Sequence, residues 1–470
     1  MLRFSKTTTG TVLFLLDVLL IAIMWPLVLW ISRPDALSLF ALPSDSRGID
    51  YPVFDVLALF SMGLYRRDAI VETGRSLTRV PLVVGIGTAL AVLVSLMQQA
   101  VVPWATVPGG RDQSMLFGLA AVTFAFCAFA ARVVIGSLIR RHILRRRLLV
   151  VGAGQRAWDL LLMLGREGSS LHDDVTLVHG VHEPIDPRLM IERPGRIICP
   201  PDFDIAAVAT EVDADLIIVA PDERRGMNLE RLLDCKKAGF PVIQYLSFVE
   251  REIRRIDLKR MELSWLVYTD GFTFGLLDRF LKRAFDLSVS SVVLLLTAPL
   301  LLAGMLAIRS EGPGPLIYRQ ERVTLDGKVF SIMKLRTMKV NAEAHGAVWA
   351  MEKDTRITRS GAFLRRARID ELPQLVNILR GEMSFVGPRP ERPVFVRELA
   401  EKIPLYNERH MVKSGLTGWA QINYPYGASI DDARSKLSYD LYYVKNFSIL
   451  FDFVILLQTL RVVLWPSGVR

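Results

Sequence analysis

Four apolar stretches in the first 140 residues constrain this chain more than any other feature. They run at about 11–31, 50–64, 80–102 and 115–139. A helix needs about 20 apolar residues to cross a bilayer, where no water can satisfy its backbone. The first, third and fourth stretches reach that length. The second is shorter and carries Asp50 and Asp55. The first is too long for a signal peptide, holds Trp25-Pro26 and lacks a small-residue cleavage site before the next stretch. Basic residues precede the first stretch (Arg3, Lys6), separate the second from the third (Arg66, Arg67, Arg75, Arg79) and follow the fourth (Arg140, Arg141, Arg145, Arg146, Arg147). The positive-inside rule then puts both ends of a four-helix transmembrane domain, residues 1–145, in the cytoplasm. The rest of the chain is expected there too.

The whole chain has 470 residues, 51% hydrophobic and 23% charged, a mixture that suggests membrane segments joined to cytoplasmic domains. Its net charge of +10 suits anionic headgroups or phosphorylated substrates. Nucleic acid is not expected, because zinc-finger spacing, an RNP motif and an aromatic-interleaved basic helix are all missing. Cys127, Cys199 and Cys235 are far apart, which argues against a disulfide framework or a zinc site. His179 and His182 are read as surface residues.

Residues 146–250 alternate apolar runs with helix-like stretches. Leu148–Val151, Val175–Val181, Arg196–Cys199, Leu216–Ala220 and Val242–Tyr245 read as strands of a parallel sheet, a Rossmann-like α/β domain. Gly152-Ala153-Gly154 after the first strand could cradle a phosphate at a helix start. The dinucleotide fingerprint is incomplete: Ala157 holds the third glycine position, and Asp173 and Asp174 precede the second strand, leaving Glu183 nearest its end. The domain reads as regulatory or structural. Residues 251–278 form a charged interfacial connector.

A fifth apolar stretch, Leu287 to Ile308, has basic flanks on both sides (Lys282 and Arg283, then Arg309) and Pro299 at its middle. A spanning helix would carry the residues beyond it out of the cytoplasm. A proline kink favours a re-entrant helix, about 284–308, that returns to the same face, with Thr297 able to satisfy a freed carbonyl. Downstream, Leu316–Val323 and Val329–Met338 read as a hairpin around Asp326-Gly327, carrying Arg319, Arg322, Lys334 and Arg336.

The chemistry concentrates at Asp370-Glu371, behind Arg365, Arg366 and Arg368. A carboxylate held among cations stays ionised at neutral pH and can bind a divalent cation or attack phosphorus. Arginines are suited to phosphate oxygens. Gly387-Pro388-Arg389-Pro390 comes next, then Gly415-Leu-Thr-Gly-Trp419 and Tyr439-Asp440. Trp419 is read as packing.

Through these motifs residues 279–466 resemble the bacterial sugar transferases, the monotopic polyprenyl-phosphate phosphoglycosyl transferases. The domain order resembles the large members of that family. Ser264-Trp265 through Phe272 is similar to exopolysaccharide enzymes of exosortase systems. The resemblance implies an α-rich catalytic domain over 279–470. It implies transfer of a sugar 1-phosphate from a UDP-sugar donor to undecaprenyl phosphate, with Mg²⁺ as cofactor. By resemblance Asp370 is the nucleophile and metal ligand, and Glu371 its partner. Arg365 and Arg389 are phosphate-binding, with Lys334 and Arg336 placed beside them. Asp440 is a substrate or metal contact, and a homodimer is compatible. Two positions depart from the family's pattern: Ala298 stands where a serine often precedes Pro299, and Ser414 stands where proline is common. Two rival readings are a non-enzymatic membrane scaffold that senses nucleotides and a nucleotide-sugar epimerase or dehydratase. The intact acidic pair argues against the first, and the missing Tyr-x-x-x-Lys pair against the second.

Overall fold

The computed structural model describes residues 9–32, 50–66, 69–70, 73–101, 111–141, 143–144, 146–166, 174–180, 183–192, 195–200, 204–223, 228–261, 271–272, 275–339, 356–424, 427 and 429–464. It divides into two compact units, Met1–Ile253 and Arg254–Arg470.

The first unit opens with helices Thr9–Ser32, Asp50–Ser61, Thr73–Val101 and Arg111–Arg140. Three of them are long and apolar enough to cross a membrane; Asp50–Ser61, at 12 residues, is not. Leu15, Leu19, Val122 and Phe126 point outward, as lipid-facing side chains would. Inside, Trp25 stacks on Phe124 with ring centroids 5.6 Å apart. A buried ion pair pins the first helix to the fourth: the Arg132 guanidinium lies 3.0 Å from Asp17 and donates to the Ala128 carbonyl at 2.8 Å. Asp55 is also buried, set against Gly87, where any Cβ would strike it.

The second half of this unit is a five-stranded parallel sheet in the order β3-β2-β1-β4-β5. The strands are β1 (Arg147–Val151), β2 (Asp174–Val178), β3 (Ile197–Ile198), β4 (Leu216–Val219) and β5 (Val242–Gln244). Alternation along β1 feeds two cores. Leu148 and Val150 pack with Leu160 and Leu164, while Leu149 and Val151 pack with Ile205, Val208 and Cys235. All five strands stand where the apolar runs put them, with ends that differ by no more than a few residues. The expected connector at 251–278 is divided. Val249 and Ile253 belong to the sheet's core, whereas Ile256, Leu258 and Met261 belong to the second unit's.

In the second unit a single helix runs from Leu276 to Ser310 with Pro299 inside it. It starts earlier than the apolar run because Asp278 caps its free amide at Gly275. Near its start Arg283 donates to the carbonyls of Ile378 and Leu379, both at 2.7 Å. Near its end Gly304 approaches Leu335 and Leu364, and Ile308 packs on the same pair. Between these anchors Val292, Leu295, Leu296, Leu300 and Leu302 are exposed. Thr297 Oγ1 donates to the Val293 carbonyl at 2.7 Å, so it does not serve the Leu295 carbonyl that Pro299 leaves free. Back-bonding of this kind bends a helix on its own account.

The hairpin forms as expected. β6 (Ile317–Val323) pairs antiparallel with β7 (Val329–Leu335). Asp326 and Gly327 both take positive φ at its turn. Short helices Arg359–Arg366, Gln374–Arg380 and Pro393–Lys402 come next, with β8 (Ser384–Val386) and β9 (Gly415–Thr417) parallel. The last helix, Ile449–Leu464, turns Asp452, Ile455 and Gln458 into the domain and Leu450, Phe453, Leu460 and Val463 outward. Trp419 is core, packed on Phe451, with its indole N–H donating to the Arg254 carbonyl.

Candidate active site

Helix Arg359–Arg366 ends in a turn that Arg368 closes with φ 59°, a left-handed conformation costly for a residue with a Cβ. That turn starts a 3-10 segment, Ile369–Glu371. Ile369 joins the cluster of Leu301, Met305, Ile308, Leu335 and Leu364, so the acidic pair sits one residue from the second half of the long apolar helix. Asp370 is only 8% exposed.

The structure divides the cations unequally between the two acids. Lys334 donates to Glu371 at 3.1 Å, and Arg389 and Arg368 stand 3.5 and 3.8 Å from it. Burial alone would raise Glu371, but Lys334, Arg389 and Arg368 outweigh it and hold its carboxyl at about 2. Asp370 goes the other way. Burial and then the Glu371 charge push it up, against Lys334, Arg365 and Arg368. Among the described residues Asp370 accepts no hydrogen bond and forms no ion pair. Glu371 thus gathers the cations, and Asp370 keeps its lone pairs open.

Asn377 sets the strand that presents Lys334. Its side chain accepts from the Met333 amide at 3.0 Å and donates to the Ser331 carbonyl at 2.9 Å. Arg389 is presented by β8. Gly387 and Gly415 are glycines because their backbones touch there: a Cβ on Gly415 would strike Gly387, and one on Gly387 would strike Lys413. Ser414 takes up Thr324 with both its amide and its hydroxyl, which a proline could not do.

The other two expected phosphate ligands, Arg336 and Arg365, make their hydrogen bonds outside the acidic pair. Arg336 donates to the carbonyls of Pro313 and Gly312, bracing the turn after the long helix. Arg365 donates to Thr337 Oγ1 at 2.8 Å and acts on Asp370 through its charge. Asp440 is buried at 2% exposure and ion-paired to Arg409 at 2.7 Å, not open to substrate or metal. Sequence reasoning missed Arg409, which nothing local distinguishes. No cluster of three metal-ligating side chains occurs among the described residues. Magnesium is commonly held by one carboxylate plus substrate phosphates and water, and open Asp370 fits that donor set.

Residues 277–466 match the family model described as bacterial sugar transferase. A UDP-N-acetylgalactosamine-undecaprenyl-phosphate N-acetylgalactosaminephosphotransferase of Aeromonas hydrophila is 35% identical over 294 residues, 63% of this chain and 67% of that protein. An exopolysaccharide production protein of Rhizobium leguminosarum bv. phaseoli is 40% identical over 190 residues, 39% of this chain and 94% of its own. This chain belongs to the bacterial sugar transferase family. A further member, the UDP-glucose:undecaprenyl-phosphate glucose-1-phosphate transferase of Escherichia coli strain K12, is 35% identical over 262 residues. That match covers 49% of this chain and 56% of the relative, just over half its length.

In this family member the Gly152-Ala-Gly154 turn offers no free phosphate cradle. The Asp222 carboxylate already accepts from the first amides of helix Gln155–Arg166, Gln155 N at 2.7 Å and Arg156 N at 2.8 Å. Gly154 has no Cβ because Asp222 fills that space. Glu183, the candidate ribose ligand, accepts from the Gly180 amide instead. Asp173, His182 and residues 264–270 of the exosortase-like stretch lie outside the described residues.

Proposed function

We propose that this protein transfers a sugar 1-phosphate from a UDP-hexose to undecaprenyl phosphate through a covalent intermediate on Asp370, starting a surface glycan. The observation that carries the reading is the asymmetry of the acidic pair: Glu371, part-buried, is surrounded by three cations, whereas its buried neighbour Asp370 accepts no hydrogen bond and forms no ion pair among the described residues. Asp370 Oδ attacks the β-phosphorus of the donor. An O–P bond forms, the anhydride bond breaks, and UMP leaves with the bonding electrons. An oxygen of the lipid phosphate then attacks the same phosphorus and releases the Asp370 carboxylate. Lys334 and Arg389, fixed by Glu371, stand ready for the phosphoryl oxygens. Bound magnesium would supply charge neutralisation of the diphosphate, with Asp370 to hold it.

Several features support a re-entrant helix and a cytoplasmic catalytic domain. Arg283 and Ile308, near opposite ends of the long helix, both pack on one domain, with exposed leucines between them. A helix that crossed the membrane would separate those ends by the thickness of the hydrocarbon core, about 30 Å. The sheet order of the first unit favours a Rossmann-like domain, and plugging by Asp222 favours a structural role for it. Single cysteines at the exposed Arg279 and Arg309 are expected to react with an impermeant thiol reagent from the same side of sealed vesicles. Labelling from opposite sides would mean a spanning helix.

The function is tested by UMP release from nanodisc-held protein given undecaprenyl phosphate, Mg²⁺ and a panel of UDP-sugars. One sugar should release UMP with wild type and none with Asp370→Asn. Equal release by both would overturn the assignment of Asp370.

A further inference from the structure

Two further arginines hold carbonyls of the Gly387-Pro388-Arg389-Pro390 turn. Arg409 donates to the Arg389 carbonyl at 2.9 Å. Arg322 donates to the next carbonyl, Pro390, at 3.0 Å. Arg409 is 5% exposed, held by Asp440 at 2.7 Å and donating to the Tyr406 hydroxyl at 2.8 Å. Its ring contact with Tyr406, 5.2 Å to the centroid, fixes the guanidinium plane. Asp440 comes from the middle of helix Ile430–Lys445, so the pair links the body of the domain to the backbone of a residue that touches Glu371.

We propose that Asp440 and Arg409 are positioning residues, a buried pair that holds the Arg389 backbone so that its guanidinium meets Glu371 and the donor phosphate. The proposal rests on the transferase reading above. Two buried charges of opposite sign are costly to desolvate, and hydrophobic residues could fill the same space at less cost. What hydrophobic residues could not supply is a fork that donates to one chosen carbonyl. Along the turn the Gly387 amide donates to Thr417, the Pro388 carbonyl accepts from Gly415 and the Glu391 carbonyl from Val323, and Arg409 adds the bond to the Arg389 carbonyl that lies between them. A displacement of about 1 Å in such a group can lower a rate about a hundredfold.

The test is a double-mutant cycle on the full chain in nanodiscs, scaled to folded protein. Asp440→Asn is expected to lower kcat about tenfold or more in the wild-type background. In an Arg389→Ala background it should change kcat less than about twofold, because the residue it positions is gone. Equal fold-losses in both backgrounds, or no loss in either, would overturn the proposal. Tyr406→Phe repeats the cycle with a milder change should Asp440→Asn fail to fold, and Asp440→Glu should recover part of the rate. Hydrogen exchange of the 386–392 peptide gives a readout independent of turnover. The proposal expects faster exchange there in Asp440→Asn with the β6–β7 hairpin unchanged. Unchanged exchange in 386–392 would contradict it even if the wild type transferred no sugar, a result that would instead count against the transferase reading.

Discussion

Asp370→Asn is expected to lower sugar-phosphate transfer about 10³-fold or more, as loss of a covalent nucleophile does. The amide is nearly the same size as the carboxylate, so the buried 3-10 turn keeps its packing. What it removes is a nucleophilic oxygen that no side chain among the described residues hydrogen-bonds or ion-pairs. Desolvation and the adjoining Glu371 charge already raise the energy of the Asp370 anion, which makes attack on phosphorus more favourable. Initial rates of UMP release measure the loss. The thermal midpoint should stay at or above the wild-type value, since a strained charge has been removed.

Glu371→Gln should affect both rate and stability. Lys334, 21% exposed at its side chain, would lose the anion that justifies its burial, and Arg389 and Arg368 would lose a common partner. Breaking a part-buried, charge-assisted pair by removing one partner costs about 1.5–3 kcal/mol. With the two cations no longer set against the donor phosphate, kcat should fall about 10²-fold. The pH dependence gives a separate signature. The folded carboxyl sits at about 2, below its ordinary 4.5, so its stabilisation is complete above pH 4.5 and drains away as pH falls towards 2. Thermal midpoints of the wild type should therefore drop more steeply between pH 4.5 and 3 than those of Glu371→Gln. Parallel curves would mean that Glu371 is not the seat of the charge.

Much of the fold is legible in local pattern. The parallel strands announce themselves as short apolar runs, and Asp326-Gly327 marks its hairpin because few other residue pairs accept two positive φ values. Trp419 is readable as packing. The site is legible as a set of residues but not as a division of labour. Which acid collects the cations depends on Lys334, 37 residues away along the chain, and on the latch through Asn377 that sets the register of its strand. Nothing local to Asp370-Glu371 encodes that. Arg336 lies in the same hairpin as Lys334 yet turns to the Gly312-Pro313 carbonyls, a choice made by the turn at the end of the long helix. Asp222 is invisible for the same reason: it reaches the Gly-x-Gly turn from the end of β4, 67 residues on from Gln155. Asp440 stands out in the sequence as a carboxylate beside a tyrosine motif, and its burial against Arg409 makes it a support for Arg389.

The most direct test of the central claim is to label the protein with its own donor. Full-length protein in nanodiscs is mixed with UDP-sugar carrying ³²P in the β-phosphate, without lipid acceptor, then quenched and digested. The account predicts label on the peptide that contains Asp370, none in Asp370→Asn, and discharge of the label to lipid when undecaprenyl phosphate is added. Transfer to lipid at full rate with no label ever on the protein would contradict it, because the phosphosugar would then have passed directly from donor to acceptor.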